Sequence, residues 1–189
     1  MKITPKHSLL ALPAALLCLS SCLSDDEKTY KDYTDWRNQN LEYIDQAKAA
    51  TIDGVKQYEE LTPDWDKTTT VLVQWHNDRS LTQNNLVPMS NSTIDVKYIL
   101  TTIEGDTIDS SYSQTAYGDS IYRCRPNSLI TGFQVAVTKM HVGDSVTTII
   151  PYTAGYGSSG SGSVLPYSTL IFGIKLVDIN AWETPSWRQ

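Results

Sequence analysis

Thr93-Ile94-Asp95-Val96-Lys97-Tyr98-Ile99-Leu100-Thr101-Thr102-Ile103, followed by Glu104-Gly105-Asp106 and then Thr107-Ile108-Asp109-Ser110, is the stretch from which the fold is read. Ile94, Val96, Tyr98, Leu100 and Thr102 fall on one side of an extended chain, with Asp95, Lys97 and Thr101 opposite. Successive side chains of a strand point to opposite faces, so this alternation predicts a half-buried strand. The acidic-Gly-acidic triplet supplies a turn, and 93 to 110 therefore reads as a β-hairpin.

Working outward, Val71 to Trp75, Ser120 to Cys124, Ser145 to Ile150 and Thr169 to Val177 are further β-rich runs. A single short helix fits near Gly132 to Met140. Many strands with one helix give an α+β domain, a twisted antiparallel sheet wrapped around that helix. Upstream, aromatics recur at helical spacing. Tyr33, Arg37, Leu41 and Ile44 share one face, and Trp36, Asn40, Tyr43 and Ala47 lie beside it. This predicts an N-terminal helical extension, either a spacer packed on the domain or a partner surface. Thr51 to Gln57 reads as a continuation of the helix past a weak break at Gly54, with Pro63 as the stop.

The start of the chain bears on location. Lys2 and Lys6 precede an apolar run from Leu9 to Leu19, and small residues lead into Cys22. That pattern reads as a secretory signal, and the run is shorter than the ~20 residues a membrane-crossing helix needs. The cysteine makes it similar to the lipobox of bacterial lipoproteins, which implies cleavage after residue 21 and acyl chains on Cys22. Several acyl chains would anchor it stably to a membrane. Ser24-Asp25-Asp26-Glu27 resembles the acidic signal that follows such a cysteine in surface-exposed lipoproteins. The expected location is the outer membrane, on the cell surface or alternatively on the periplasmic side. The expected divisions are a signal peptide at 1–21, a lipidated tether and helical extension at 22–70, a domain at 71–179 and a tail at 180–189.

Residues 1 to 21 hold two lysines and no acidic residue, leaving 13 basic and 21 acidic side chains in the remainder. No basic stripe is present, so nucleic acid is not an expected partner. His76 and His141, with Cys124, are too few for a zinc site of His and Cys, and no metal or cofactor is expected. Cys124 has no intrachain disulfide partner apart from the lipidated cysteine and reads as a small apolar filler. The Gly/Ser loop 157–163 lacks the Gly-Lys-Ser/Thr ending of a phosphate cradle and reads as a flexible flap.

Five motifs in order carry a family resemblance. They are Val96-Lys97-Tyr98 with its turn and Asp109-Ser110-Ser111; Leu129-Ile130-Thr131-Gly132-Phe133; Met140-His141-Val142-Gly143-Asp144; Ile150-Pro151 with Gly155-Tyr156-Gly157; and Pro166-Tyr167-Ser168-Thr169-Leu170-Ile171-Phe172. Together they resemble the FKBP-type peptidyl-prolyl cis-trans isomerases over residues 93–179. The resemblance implies catalytic roles for Asp109, Ile130 and Tyr156, and a proline-binding pocket of Tyr98, Ile108, Leu129, Phe133, Val164 and Phe172. Phe133 stands where the family usually has a tryptophan floor. Ser120, Tyr122 and Cys124 compete for one further aromatic place. The expected substrates are proline-containing polypeptides, with a macrolide as a further ligand the family accepts. The alternatives are a proline-binding module with little catalysis and a structural lipoprotein of an outer-membrane assembly.

Overall fold

The computed structural model describes residues 25–181, with side chains described from residue 33 onward. The signal segment, Cys22 and residues 182–189 lie outside the described residues. Helix α1 (Asp25–Ala49) is followed by β1 (Thr51–Ile52), β2 (Val55–Lys56), β3 (Glu59–Leu61), β4 (Val71–Trp75), β5 (Thr93–Thr101), β6 (Thr107–Ser110) and β7 (Tyr122–Cys124). Helix α2 (Thr131–Val137), β8 (Ser145–Ile150) and β9 (Leu170–Ala181) complete the chain. The expected antiparallel sheet around a short helix, preceded by an N-terminal helix, is the architecture found.

Seven strands form one sheet in the order β3-β4-β8-β9-β5-β6, with β7 also paired to β5, and every pairing is antiparallel. Strand β5 is the axis of the site. Its first half pairs with β7 and its second half with β6, so the chain between those two strands is parted beside Tyr98. Ile94, Val96, Tyr98 and Leu100 are all buried, as the alternation requires. Asp95 on the other face is buried too, because Arg123 across the β5–β7 pair grips it with two bonds of 2.7 Å. A bidentate fork of this kind offsets the cost of removing a carboxylate from water.

Helix α2 packs on the inner face of the sheet, with Phe133, Val135, Ala136 and Val137 all buried. Each large apolar side chain so enclosed contributes roughly 1.5–3 kcal/mol. Gly132 permits the close approach to β8. A Cβ there would stand 2.2 Å from Cγ2 of Ile150.

Helix α1 covers part of the opposite face of the same sheet. Ile44 and Ala47 pack on Leu72 and Ile149, flanked by Tyr43, Tyr58 and Ile171. Of the two helical faces read from sequence, the one containing Trp36, Asn40, Tyr43 and Ala47 therefore docks, joined by Ile44, while Tyr33 and Leu41 stay exposed. Thr51 to Gln57 does not continue the helix. It turns into the small β1–β2 hairpin, because Asp53 and Gly54 both take positive φ (51° and 79°). Asp-Gly with two left-handed residues is the favoured two-residue hairpin turn, a stronger signal than the weak helical periodicity there.

Candidate functional site

Where α2 meets β5 and β9, the core stops short of filling its own volume. A cavity of about 120 Å³ opens there, lined by Tyr98, Leu100, Asp109, Tyr122, Leu129, Ile130, Phe133, Tyr156 and Phe172. Its base is aromatic. The Phe133 and Phe172 rings meet edge to face at 5.3 Å, and Tyr98 stands 6.4 Å and 6.0 Å from them. Tyr122 closes the side at 5.4 Å from Tyr98. Edge-to-face pairs of this kind hold ring orientation beyond what area burial alone gives.

The polar groups gather at the rim. The Tyr98 hydroxyl donates to one Asp109 oxygen at 2.6 Å, and the Ser110 N–H donates to the other at 2.7 Å. The carboxylate, on the exposed edge strand β6, is thus fixed in direction. Burial first, and then the hydrogen bond to Asp109 and its negative charge, push the Tyr98 hydroxyl well above the ordinary tyrosine range. Burial also raises Tyr122, helped by Cys124, Asp109 and Tyr156 nearby. Neither phenol ionises near neutral pH, so both stay hydrogen-bond donors.

Two donors on residues lining the cavity have no partner among the described residues. Ile130 precedes the first turn of α2 in extended conformation, and no acceptor takes its N–H. Tyr156 is 38% exposed between two glycines, in the loop after β8, and its hydroxyl bonds to no described group. Gly157 at φ 68° turns the chain directly after it, a conformation glycine accepts without strain. Unsatisfied donors beside an apolar cup fit a ligand carrying carbonyl oxygens.

Seven of the nine residues expected at the site meet around this cavity: Tyr98, Asp109, Leu129, Ile130, Phe133, Tyr156 and Phe172. Ile108 and Val164 stand back from its wall. Ile108 packs against the core beneath β6, and Val164 is buried there by a tight turn in which Ser161 and Val164 exchange backbone bonds of 3.0 and 2.9 Å. That turn also gives the Gly/Ser segment a defined path, since a Cβ on Gly160 would fall 2.3 Å from the Val164 carbonyl oxygen. Leu100 and Tyr122 line the cavity in addition to the residues expected there. Leu100 shares the inward face of Tyr98 by the strand period of two, which was signal enough. Tyr122 takes the open aromatic place; Ser120 is ruled out by its position in a turn at φ 63°, before the strand begins. Cys124 is buried two residues beyond Tyr122, and burial, with Asp95 nearby, pushes its thiol up to about 12, far from a nucleophile. Among the described residues no cluster of His, Cys, Asp or Glu could hold a metal ion, and no helix is long and apolar enough to cross a membrane.

Residues 85–177 match the family model described as FKBP-type peptidyl-prolyl cis-trans isomerase. The chain is similar to FK506-binding protein 2 of Dictyostelium discoideum, 33% identical over 92 residues that make up 48% of this chain and 68% of that protein. It is also similar to the FKBP-type peptidyl-prolyl cis-trans isomerase FkpA of Escherichia coli K12. There the identity is 29% over 92 residues, 49% of this chain and 33% of the relative, so the match spans about a third of that protein's length. The crystal structure of FkpA from Escherichia coli superposes with a TM-score of 0.62 at 23% identity, covering 84% of this chain and 74% of that one.

Proposed function

This chain belongs to the family of FKBP-type peptidyl-prolyl cis-trans isomerases, and from that membership we propose that it catalyses rotation about X-Pro bonds in exported polypeptides. Amide resonance sets a barrier of ~18–20 kcal/mol to that rotation, and uncatalysed exchange takes tens to hundreds of seconds. No nucleophile is required. The site must bind the twisted amide more tightly than either planar form.

The aromatic cup of Tyr98, Phe133 and Phe172 is the observation that carries this reading. A prolyl ring enters it and leaves water behind. The planar amide is the more dipolar form, so losing water destabilises it relative to the twisted one. The unpaired Ile130 N–H receives a substrate carbonyl and fixes the chain on one side of the rotating bond. Tyr156 donates a second hydrogen bond. Asp109, its two oxygens held by Tyr98 and Ser110, presents a fixed negative charge to the twisting amide without reorganising.

The location we propose is an outer membrane, with the domain held through acyl chains on Cys22. The order of basic, apolar, small and cysteine residues at the start of the sequence supports it. Changing Cys22 to serine should then release the protein from membranes into the soluble fraction; retention on the membrane would contradict the anchor.

A protease-coupled prolyl peptide assay tests the activity. Acceleration by the unaltered chain, reduced at least tenfold in Asp109→Ala or Tyr156→Phe, is expected. Tight binding of the peptide without acceleration would favour the alternative of a proline-binding module, for which the phenyl ring of Phe133, smaller than an indole floor, is the specific argument.

A further inference from the structure

Helix α1 reaches the site through the loop that carries Tyr156. Its buried Asn40 bonds both to that loop and to its own helix. The Thr169 N–H donates to Asn40 Oδ1 at 2.6 Å, the Thr169 hydroxyl donates to the Asn40 carbonyl at 3.2 Å, and Asn40 Nδ2 donates to the Trp36 carbonyl at 2.8 Å. One turn earlier the Trp36 indole N–H donates to Ser168 at 3.2 Å. The Arg37 guanidinium lies 5.2 Å from the Tyr167 ring centre and 5.9 Å from that of Tyr152, and those two rings stack edge to face at 5.3 Å.

Tyr152 and Tyr167 bracket the loop. The Tyr167 N–H donates to the Gly157 carbonyl and the Gly157 N–H donates to the Tyr152 carbonyl, at 3.0 and 2.9 Å. Gly157 is the residue after Tyr156. Tyr167 moreover sits at φ 62°, a left-handed conformation that a bulky side chain holds only when its surroundings impose it. The Arg37 cation–π contact from α1, the Tyr152 ring stacked on Tyr167 within the loop, and the Tyr167–Gly157 backbone bond surround it here.

We propose that α1 is a positioning element of the prolyl site. Trp36, Arg37 and Asn40 hold the 152–169 loop closed against the domain, and so set where the Tyr156 hydroxyl points. The tether-bearing extension is thereby part of the working site, and Arg37 and Asn40 are positioning residues that touch no substrate. A small misplacement of a group that acts on the transition state is enough to slow the reaction. The proposal rests on the isomerase reading for its effect on rate, but not for its mechanical content.

The test uses the full chain with Arg37→Ala, Arg37→Lys and Asn40→Ala, and with Lys48→Ala as a control on the same helix. Amide hydrogen exchange across 152–169 reads local opening directly. Exchange at Gly157 and Tyr167 should quicken roughly tenfold in Arg37→Ala and Asn40→Ala, recover in part in Arg37→Lys, and stay unchanged in Lys48→Ala. Catalysed prolyl isomerisation should fall roughly tenfold in the same two variants. Asn40→Ala combined with Tyr156→Phe should be no slower than Tyr156→Phe alone, since coupled residues do not add. Unchanged loop exchange in both variants overturns the mechanical link. Quickened exchange with undiminished isomerisation overturns the positioning role. No acceleration by the unaltered chain removes the isomerase reading and the rate effect with it, while the exchange data still decide the link.

Discussion

The two faces of one strand show different uses of the same sheet. On its inner side β9 presents Leu170, Phe172, Ile174 and Leu176 to α2 and the cup, and on its outer side Ile171 meets α1. At the α1 seam the polar groups are closed off. Asn40 is buried with its amide and carbonyl engaged, and Trp36 and Thr169 are paired. At the cup a cavity remains and two donors, the Ile130 N–H and the Tyr156 hydroxyl, await an acceptor. Neither donor is fully buried, so water can reach both until a ligand takes its place; the buried side-chain atom left without a partner among the described residues, Thr148 Oγ1, lies on β8 away from the cavity lining.

Truncations separate the two most sharply. Phe133→Ala removes a ring shared by the core and the cup, and should cost about 3–5 kcal/mol in denaturant unfolding while abolishing catalysed isomerisation. Ile44→Ala, at the seam, should cost about 2–3 kcal/mol, with peptide KM shifted far less than in Phe133→Ala. An equal loss of peptide binding in both would erase the distinction between the faces. Gly132→Ala forces a methyl into Ile150 and should cost about 1–3 kcal/mol by overpacking; an unchanged melting temperature would mean that α2 and β8 are less tightly apposed than described.

Smaller effects belong to the rim. Tyr98→Phe deletes the hydrogen bond to a half-solvated carboxylate, worth about 1 kcal/mol, and should slow isomerisation by freeing Asp109 to turn. Its sign with pH follows from the raised Tyr98 pKa. The folded value lies above the free tyrosine value of about 10. The protonated hydroxyl therefore contributes fully below that pH, and the contribution is lost as pH rises through the higher folded value. Burial also raises Tyr43, Tyr58 and Tyr122, so an ultraviolet phenolate titration of the folded protein should show several late-ionising tyrosines, with one fewer in Tyr98→Phe. Loss of no late phase on that substitution would contradict the burial of the Tyr98 phenol, the largest cause of its raised value.

The inner face was the more legible of the two. Alternation in 93–110 marks both the strand and its inward side, since one buried face forces a period of two. The family motifs then place seven of the nine site residues around one cavity. Ile108 and Val164 stand apart because a motif fixes position along the chain and not the depth to which a turn draws a side chain. The Ser161–Val164 turn pulls Val164 into the core, a long-range packing outcome no local pattern announces. On the outer face, helical spacing shows two adjacent stripes, and only Leu72 and Ile149, 28 and 105 residues beyond Ile44 in the sequence, decide which docks. The Asp53-Gly54 hairpin is legible in its turn chemistry, which outweighs the weak helical periodicity of that stretch. Helical spacing puts Asn40 on the docking stripe but gives no sign of its bond to Thr169, which is 129 residues away.

The central claim is that a proline enters the cup of Tyr98, Phe133 and Phe172 and that its amide is eased out of plane there. Nuclear magnetic resonance exchange spectroscopy on a short proline peptide, with catalytic amounts of the full chain, tests it most directly. The account predicts cis/trans exchange far faster than the uncatalysed tens of seconds. Peptide-induced shifts should centre on Phe133 and Phe172, and Phe133→Leu should weaken the acceleration while the fold persists. Exchange at the uncatalysed rate, with shifts falling elsewhere on the molecule, would contradict it.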